Sequence, residues 1–374
     1  MKSSPRILSV IGTRPDAIKM APLVHLLNIH LGNNHRVCST GQHVELLNSV
    51  LHFFEICPDY QLDLMTERQD LLSLIAKTII AISPVLEEFA PDWVLVHGDT
   101  ATCLGATLAA FYKQIHIGHV EAGLRSGSLS EPFPEESVRI LTDQLAEVCF
   151  VPSEAHKANL VMNGKPADKI LMTGNTGIDS LYYVLEHKDS LSENVPPAVR
   201  ALMIENPKLI LITVHRFENQ GDNLISICAA IRKIACMYPE ARMLVPLHPN
   251  PAVMDCLIEQ LSGIDSILLC TPLAYPDFIW IMKHCYLILT DSGGIQEEAP
   301  VLGKPVFLLR NKTERQEMVA SGNVKIIGTE INAIVAAVDS VWNDDEKYRH
   351  MTQPVSTYGN GTASEQIVDF LLNY

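Results

Sequence analysis

Acidic and basic side chains gather directly after short apolar runs in the first half of the chain. Asp99 follows the run 93–97, Glu121 follows the run 116–120, and Glu135 comes a little later. The same part of the chain supplies cations and histidines: Arg14, Lys19, Arg125, Arg139, His43, His97 and His119. Carboxylates act as general acids and bases, and cations stabilise a departing anion. The set predicts acid–base chemistry on an anionic substrate.

Each of these residues, taken singly, also has a structural explanation. Asp99 could cap the next helix, Glu135 suits the first turn of a helix, and Arg139 could pair with Glu135. For the whole set we favour a site, because random surface charge does not collect at one edge of a fold.

The second half of the chain contains a different element, a Ser-Gly-Gly turn after an apolar run. Residues 292–294 follow the run 287–290 and open a helical segment, which exposes backbone N–H groups at a positive helix end. Glu298 could accept both hydroxyls of a ribose, and Arg310 and Arg315 could neutralise phosphates. Ser-Gly-Gly alone also makes ordinary turns. With these charged residues it predicts a nucleoside diphosphate pocket.

Apolar runs alternate with segments of helical period along the whole chain, as in parallel sheets covered on both faces. The 374 residues exceed what one core usually serves, so we predict an α/β protein of two doubly wound domains. In such sheets ligands bind beyond the carboxyl ends of the strands, where these charged residues fall. The predicted strands are 7–11, 36–39, 93–97, 116–120, 148–151, 170–172, 209–214, 243–247, 267–269, 286–289, 306–308 and 324–326. Predicted helices include 17–30, 71–89, 224–237 and 331–342.

The polar turn 174–177 suggests where the first domain ends. We predict an N-terminal domain of residues 1–173 that carries the acids and a C-terminal domain of residues 174–359. The Pro- and Ser-rich stretch 190–207 is the alternative boundary. Gly359 and Gly361 form a hinge after which the last helix, within 360–374, could leave one domain and pack on the other.

Composition excludes several classes of protein. A net charge of −15 argues against a nucleic-acid or anionic-membrane surface. The nine cysteines contain no CxxC pair and lie mostly in apolar runs, so we expect reduced thiols with no zinc site. With no signal-peptide or membrane-span pattern, we expect a soluble, cytoplasmic protein. The chain has neither GxGxxG after a strand nor a P-loop, so we expect no cofactor. No set of Asp, Glu and His has a spacing that requires a metal, so we expect no metal.

Several motifs together resemble the non-hydrolysing UDP-N-acetylglucosamine 2-epimerases. They are residues 12–22, 96–100, 118–125, 134–136, 290–300 and 313–315, and the similarity continues through 358–361 and 363–365. The resemblance implies two Rossmann-like domains of the glycosyltransferase-B type with an interdomain cleft, a last helix that returns to the first domain, and a homodimer. It implies interconversion of UDP-GlcNAc and UDP-ManNAc, which supplies ManNAc-type sugars for surface polysaccharide.

The resemblance also assigns roles to individual residues. Asp99, Glu121 and Glu135 match the catalytic carboxylates, and His215 matches a histidine at the diphosphate that we group with them. Residues that match the substrate site are Arg14, Lys19, Arg139, Leu273, Phe278, Ser292, Gly293, Gly294, Glu298 and Arg315.

The chain departs from the family pattern at a few positions. Asp16 stands where Glu is usual, Val138 where Asn is usual, and Gln316 where Pro is usual. Phe217 replaces the second Arg of a His-Arg-Arg-Glu-Asn run. Asp16 and Val138 lie at the edge of the predicted site, so an altered rate or sugar preference is an interpretation of these changes.

Some relatives are activated by a second UDP-GlcNAc molecule. The residues that match this second site are Gln42, Glu45, Arg68, Phe217 and His248. Phe217 has no charged donor for a phosphate, and Glu45 adds negative charge beside an anionic ligand. We therefore predict a degenerate allosteric site with weak or absent activation.

Three other functions compete with the epimerase. A hydrolysing epimerase would release ManNAc and UDP, but residues 12–22 follow the non-hydrolysing pattern. A glycosyltransferase-B-type sugar transferase would share the second-domain pocket but does not explain the three first-domain acids. A nucleotide-sugar sensor without activity would be expected to lose one of those acids.

Overall fold

The computed structural model describes residues 4–41, 44–64, 70–130, 132–205 and 208–374. They form two compact units, one of Met1–Tyr183 with Tyr358–Tyr374 and the other of Val184–Thr357. The predicted division after residue 173 lies just before the helix Thr176–His187, within which the two units divide. Within the described ranges, no helix is both long and apolar enough to cross a membrane.

The first unit is built on a parallel sheet of seven strands. These are β1 (Ile7–Ile11), β2 (His35–Ser39), β3 (Tyr60–Gln61), β4 (Trp93–His97), β5 (His116–Val120), β6 (Val148–Val151) and β7 (Ile170–Met172). Their order is β3-β2-β1-β4-β5-β6-β7. The central strands are buried along almost their whole length, because helices cover both faces. The winding direction changes between β1 and β4, which is where ligands bind in such sheets.

Seven helices follow these strands in the first part of the chain. They are α1 (Arg14–Leu31), α2 (Val44–Phe53), α3 (Leu71–Phe89), α4 (Ala101–Tyr112), α5 (Glu135–Leu145), α6 (Glu154–Met162) and α7 (Thr176–His187). A reciprocal cap starts α1: Asp16 N–H donates to the Thr13 hydroxyl, and Thr13 N–H donates to the Asp16 carboxylate. A Cβ at Gly12 would lie 2.3 Å from Thr102 Oγ1, so only glycine fits between β1 and α4.

The second unit repeats this architecture with six parallel strands. They are β8 (Leu209–Thr213), β9 (Arg242–Pro246), β10 (Ile267–Cys270), β11 (Leu287–Thr290), β12 (Val306–Leu308) and β13 (Val324–Ile326), in the order β10-β9-β8-β11-β12-β13. Its helices are α8 (Pro197–Glu205), α9 (Asp222–Met237), α10 (Pro251–Leu261), α11 (Tyr275–His284), α12 (Gly293–Val301), α13 (Gln316–Ala320), α14 (Ile331–Trp342) and α15 (Asp345–Met351). The winding direction changes between β8 and β11. The predicted class, two Rossmann-like doubly wound domains, is confirmed.

The last helix, α16 (Ala363–Asn373), is part of the first unit. The Asp179 carboxylate accepts hydrogen bonds from the N–H groups of Ala363 and Ser364, at 3.2 and 2.6 Å. Phe370 of α16 lies edge-on to Phe150 of β6, with ring centroids 5.6 Å apart. The N-terminal cap and this aromatic contact fix the helix on the first unit.

Candidate active site

Glu121, directly after β5, occupies an unfavourable backbone conformation. Its φ is +65°, a left-handed value that costs a non-glycine residue about 1–3 kcal/mol. Its carboxylate forms an ion pair with Lys19 of α1, and Oε2 lies 3.3 Å from His97 Nε2. The fold therefore holds one acid at the carboxyl edge of the sheet at an energetic cost, which is typical of a functional position.

His97, the last residue of β4, connects Glu121 to Asp16. Its Nδ1 lies 3.3 Å from Asp16 Oδ1, and the ring is buried. Burial lowers the pKa of His97, but Glu121 and Asp16 more than offset this and raise it to about 9. The imidazolium therefore lies between two carboxylates at neutral pH. Asp16, which the sequence marked only as a departure from the usual Glu, contributes one of these two carboxylates.

Asp99 is held by Arg139 of α5. Arg139 Nε and Nη2 lie 2.8 and 2.6 Å from Asp99 Oδ2, and its Nη1 lies 3.3 Å from Glu136. The Glu136 carboxylate in turn accepts hydrogen bonds from the backbone N–H groups of residues 126 and 127. Thr100, not Asp99, caps α4. The structural explanations of Asp99 as a cap and of Arg139 as a partner of Glu135 are therefore wrong.

Glu135 begins α5 and has a buried carboxylate oxygen. Its Oε2 accepts no hydrogen bond from any residue in the described part of the chain. A buried polar atom without a partner costs about 1–3 kcal/mol. This cost favours a role in contacting a ligand, in agreement with the predicted use of Glu135. Arg14, a further predicted cation of this edge, begins α1 and is half-buried.

In the second unit, the buried Asp291 anchors the loop that carries His215. Its carboxylate accepts hydrogen bonds from the N–H groups of His215 and Arg216, at 3.0 and 2.9 Å, and from Asn219 Nδ2 at 2.9 Å. His215 Nδ1 lies 3.1 Å from the same carboxylate. The His215 ring also stacks on His248, with centroids 5.4 Å apart. This network fixes the histidine at the carboxyl end of β8.

The pKa of His215 is lowered from its ordinary value. Burial is the main cause, Arg216 and His248 add to it, and Asp291 opposes it. The ring is therefore mostly neutral at neutral pH. A neutral imidazole whose Nδ1–H donates to Asp291 can accept a proton at Nε2.

The N-terminus of α12 has the geometry of an anion site. A Cβ at Gly293 would lie 3.0–3.1 Å from the Arg315 guanidinium, whereas one at Gly294 would meet no atom within 4 Å. Arg315 Nε lies 2.6 Å from Glu297 Oε1. A helix N-terminus with a cation beside it attracts phosphate groups. The predicted Ser292–Gly294 turn therefore lies beside Arg315.

The other predicted pocket residues lie around α11 and β12. Leu273 is buried just before α11, and Phe278 is half-buried within it. Glu298 accepts a hydrogen bond of 2.7 Å from the Tyr275 hydroxyl. Arg310 forms ion pairs with Glu218 and Glu314, at 3.3 and 3.4 Å. Sequence reasoning missed Tyr275, Glu297 and the anchoring role of Asp291; only Asp291 had a signal, its position directly after β11.

The predicted second site falls partly outside the described residues. Gln42 and Arg68 lie there, and so does the side chain of Glu45. Phe217 is 84% exposed in a short 3₁₀ turn, and His248 lies against His215. The degenerate allosteric site therefore stays a prediction.

Comparisons with known proteins agree with this architecture. The family model described as UDP-N-acetylglucosamine 2-epimerase matches residues 28–372. The chain is 47% identical to the UDP-N-acetylglucosamine 2-epimerase of Yersinia pestis over 99% of both chains, and 42% identical to that of Escherichia coli K12 over 98% of both.

Solved structures agree as well. A UDP-GlcNAc 2-epimerase from Neisseria meningitidis bound to UDP-GlcNAc is 43% identical, with a TM-score of 0.92, and the match covers 98% of this chain and 100% of that one. One from Methanocaldococcus jannaschii in complex with UDP-GlcNAc and UDP is 30% identical, with a TM-score of 0.85, over 98% and 99% of the two chains. The matches over the whole chain place it in a class of nucleotide-sugar enzymes. The chain belongs to the UDP-N-acetylglucosamine 2-epimerase family, which supports that activity.

Proposed function

We propose that the protein interconverts UDP-GlcNAc and UDP-ManNAc by eliminating UDP and adding it back. The observation that carries this proposal is the set of three carboxylates at the carboxyl edge of the first sheet. Asp99 pairs with Arg139, Glu121 pairs with Lys19, and Glu135 keeps a buried oxygen without a hydrogen bond from a described residue. Such a set suits proton removal and return at one carbon atom.

The chemistry explains the need for several acids. The C2 hydrogen of the sugar is not next to a carbonyl group, so simple deprotonation is too difficult. In the proposed elimination, a carboxylate takes the C2 proton, a C1–C2 double bond forms, and the C1–O bond electrons leave with UDP. Protonation of the 2-acetamidoglucal on the opposite face of C2, with return of UDP to C1, gives the epimer. Asp99, Glu121 and Glu135 are the proposed acid and base groups.

The departing UDP needs positive charge and hydrogen-bond donors. In this proposal the N–H groups at the start of α12 and the guanidinium of Arg315 bind the diphosphate. His215, fixed by Asp291, assists at the same leaving group. Binding charge where it develops in the transition state is among the largest contributions to catalysis.

Product analysis tests the proposal against hydrolysis. The protein is incubated with UDP-GlcNAc, and the mixture is followed by ¹H and ³¹P NMR. We expect a stable mixture of UDP-GlcNAc and UDP-ManNAc, with the nucleotide still attached to sugar. Steady accumulation of UDP and free ManNAc would instead identify a hydrolysing enzyme. Unchanged UDP-GlcNAc would contradict the proposal.

We predict that the reverse reaction needs no UDP-GlcNAc as an activator. Loss of one charged hydrogen-bonding partner costs about 1.5–3 kcal/mol, and the exposed Phe217 ring offers no such donor. UDP-ManNAc alone should therefore be consumed without a lag. A time course of UDP-ManNAc consumption, recorded with and without trace UDP-GlcNAc, measures this. A lag that trace UDP-GlcNAc abolishes would show that the second site works.

The proposal has three further parts, which the structure does not test. They are a homodimer, a cytoplasmic location, and use of the product in surface polysaccharide synthesis. Sedimentation of the purified protein tests the first of them, since a dimer has twice the mass of the 41.4 kDa chain.

A further inference from the structure

A buried triad of charges lies behind the candidate active site. His119 of β5 and Asp143 of α5 have fully buried side chains, and His119 Nδ1 lies 2.7 Å from Asp143 Oδ1. Arg125 Nη2 lies 2.6 Å from Asp143 Oδ2. None of these contacts is needed for the acid–base chemistry itself, and Asp143 carries no signal in the sequence.

The geometry shows the charge state of His119. Its Nε2 lies 2.8 Å from the carbonyl oxygen of Gly98, which can only accept a hydrogen bond. Its Nδ1 faces a carboxylate, which is also an acceptor. Both ring nitrogens therefore donate, and the ring is an imidazolium. Burial lowers the pKa of His119, but Asp143 more than offsets this, with help from Cys103, and raises it to about 10.

The triad holds the backbone beside both ion-paired carboxylates. The Gly98 carbonyl that His119 binds immediately precedes Asp99, in a turn with φ of +65° at Gly98. On the other side, Asp143 Oδ2 accepts a hydrogen bond of 3.4 Å from the N–H of Gly123, in the turn that begins with Glu121. One buried network thus contacts the two turns that present Asp99 and Glu121.

We propose that His119 and Asp143 are positioning residues that fix the turns carrying Asp99 and Glu121. This inference rests on the proposed function of those two carboxylates. A displacement of a reacting group by about 1 Å can cost about 100-fold in rate. Loss of the triad should therefore lower kcat far more than it changes KM.

Asp143→Asn tests the charge of the network with little change in volume. The groups facing His119 are Asp143 from α5 and Cys103 from α4, while Arg125 and the Cys149 thiol of β6 contact Asp143. Without the carboxylate, burial is no longer offset and the pKa of His119 falls. A neutral ring has one N–H, so it keeps its bond to Gly98 only when Nε2 carries the proton, and Nδ1 then accepts from the new amide. The ion pairs of residue 143 with His119 and Arg125 are thereby replaced by weaker neutral hydrogen bonds.

A matched control comes from another buried histidine of the same sheet. His35, at the start of β2, lies at the opposite edge from the candidate site. Its ring contacts Ser9 Oγ at 2.9 Å and Asn28 Oδ1 at 2.6 Å. His35→Gln removes a comparable buried ring, so it reports the effect of lost stability alone.

The experiment measures kcat, KM and thermal stability for the wild type, His119→Gln, Asp143→Asn and His35→Gln with UDP-GlcNAc. We expect kcat to fall about 10- to 100-fold in the first two variants, with KM within about twofold, and to stay near wild type in His35→Gln. In Asp143→Asn, the decrease of kcat at alkaline pH should also begin at a lower pH than in the wild type.

The outcomes separate this inference from the proposed function. A wild-type protein without epimerase activity would contradict the proposed function. An active wild type whose kcat and pH profile match those of folded Asp143→Asn would overturn the positioning role. A loss of kcat in His35→Gln as large as that in the triad variants would overturn it too. If His119→Gln does not fold, Asp143→Asn and its pH profile decide.

Discussion

Asp99→Asn, Glu121→Gln and Glu135→Gln should each lower kcat by about 10²–10⁴-fold, the usual contribution of one general acid or base. UDP affinity should stay within about twofold of wild type, because the proposed UDP contacts at α12 and Arg315 belong to the other compact unit. Steady-state kinetics and calorimetric titration with UDP measure the two effects separately.

The control for these variants is an exposed acid of the same unit. Glu154 begins α6 with its side chain 71% exposed, so Glu154→Gln should keep wild-type kinetics. If all three carboxylate variants retained near-normal kcat, the assignment of the acid–base groups would be wrong. If they lost UDP affinity as strongly as kcat, their role would be in binding rather than in proton transfer.

Arg315→Gln should weaken UDP binding by about 10- to 100-fold, since a hydrogen bond to a charged group contributes about 1.5–3 kcal/mol. The same change leaves the buried Glu297 carboxylate without its guanidinium at 2.6 Å. Breaking a buried ion pair in this way costs about 3–5 kcal/mol, so the free energy of unfolding should fall too. Calorimetry with UDP and urea unfolding measure both losses.

Gly294→Ala separates binding from stability at the same helix end. A Cβ at this position meets no protein atom within 4 Å, so the variant should fold with at least wild-type stability. If the diphosphate occupies that space, the added methyl group should weaken UDP binding about tenfold or more. Unchanged UDP affinity in Gly294→Ala would show that the nucleotide binds elsewhere.

The fold was largely predictable because its strands are short apolar runs separated by helical segments. The predictions for 93–97, 116–120, 148–151 and 306–308 match β4, β5, β6 and β12 residue for residue. The strand β3, Tyr60–Gln61, was missed because it has two residues, neither of them buried, and so no apolar pattern. A pairing at the edge of a sheet depends on its neighbour more than on its own sequence.

The site was predictable only where its residues follow strands in the chain. Asp99, Glu121 and the Ser292–Gly294 turn could be found from that position alone. Arg139 and Lys19 were predicted as cations of the site, but their pairing with Asp99 and Glu121 was not, because both reach the carboxylates from helices distant in sequence. The same reason hides Asp143 and Glu297, which no local pattern distinguishes from other helical acids.

Hydrogen exchange at C2 tests the proposed elimination most directly. The protein is incubated with UDP-GlcNAc in D₂O without added NAD, and ¹H NMR follows the C2 position of both epimers. The elimination route predicts deuterium at C2 of UDP-GlcNAc and of UDP-ManNAc, because the returning proton comes from an exchangeable carboxylic acid. Epimerisation that leaves C2 free of deuterium would contradict the account.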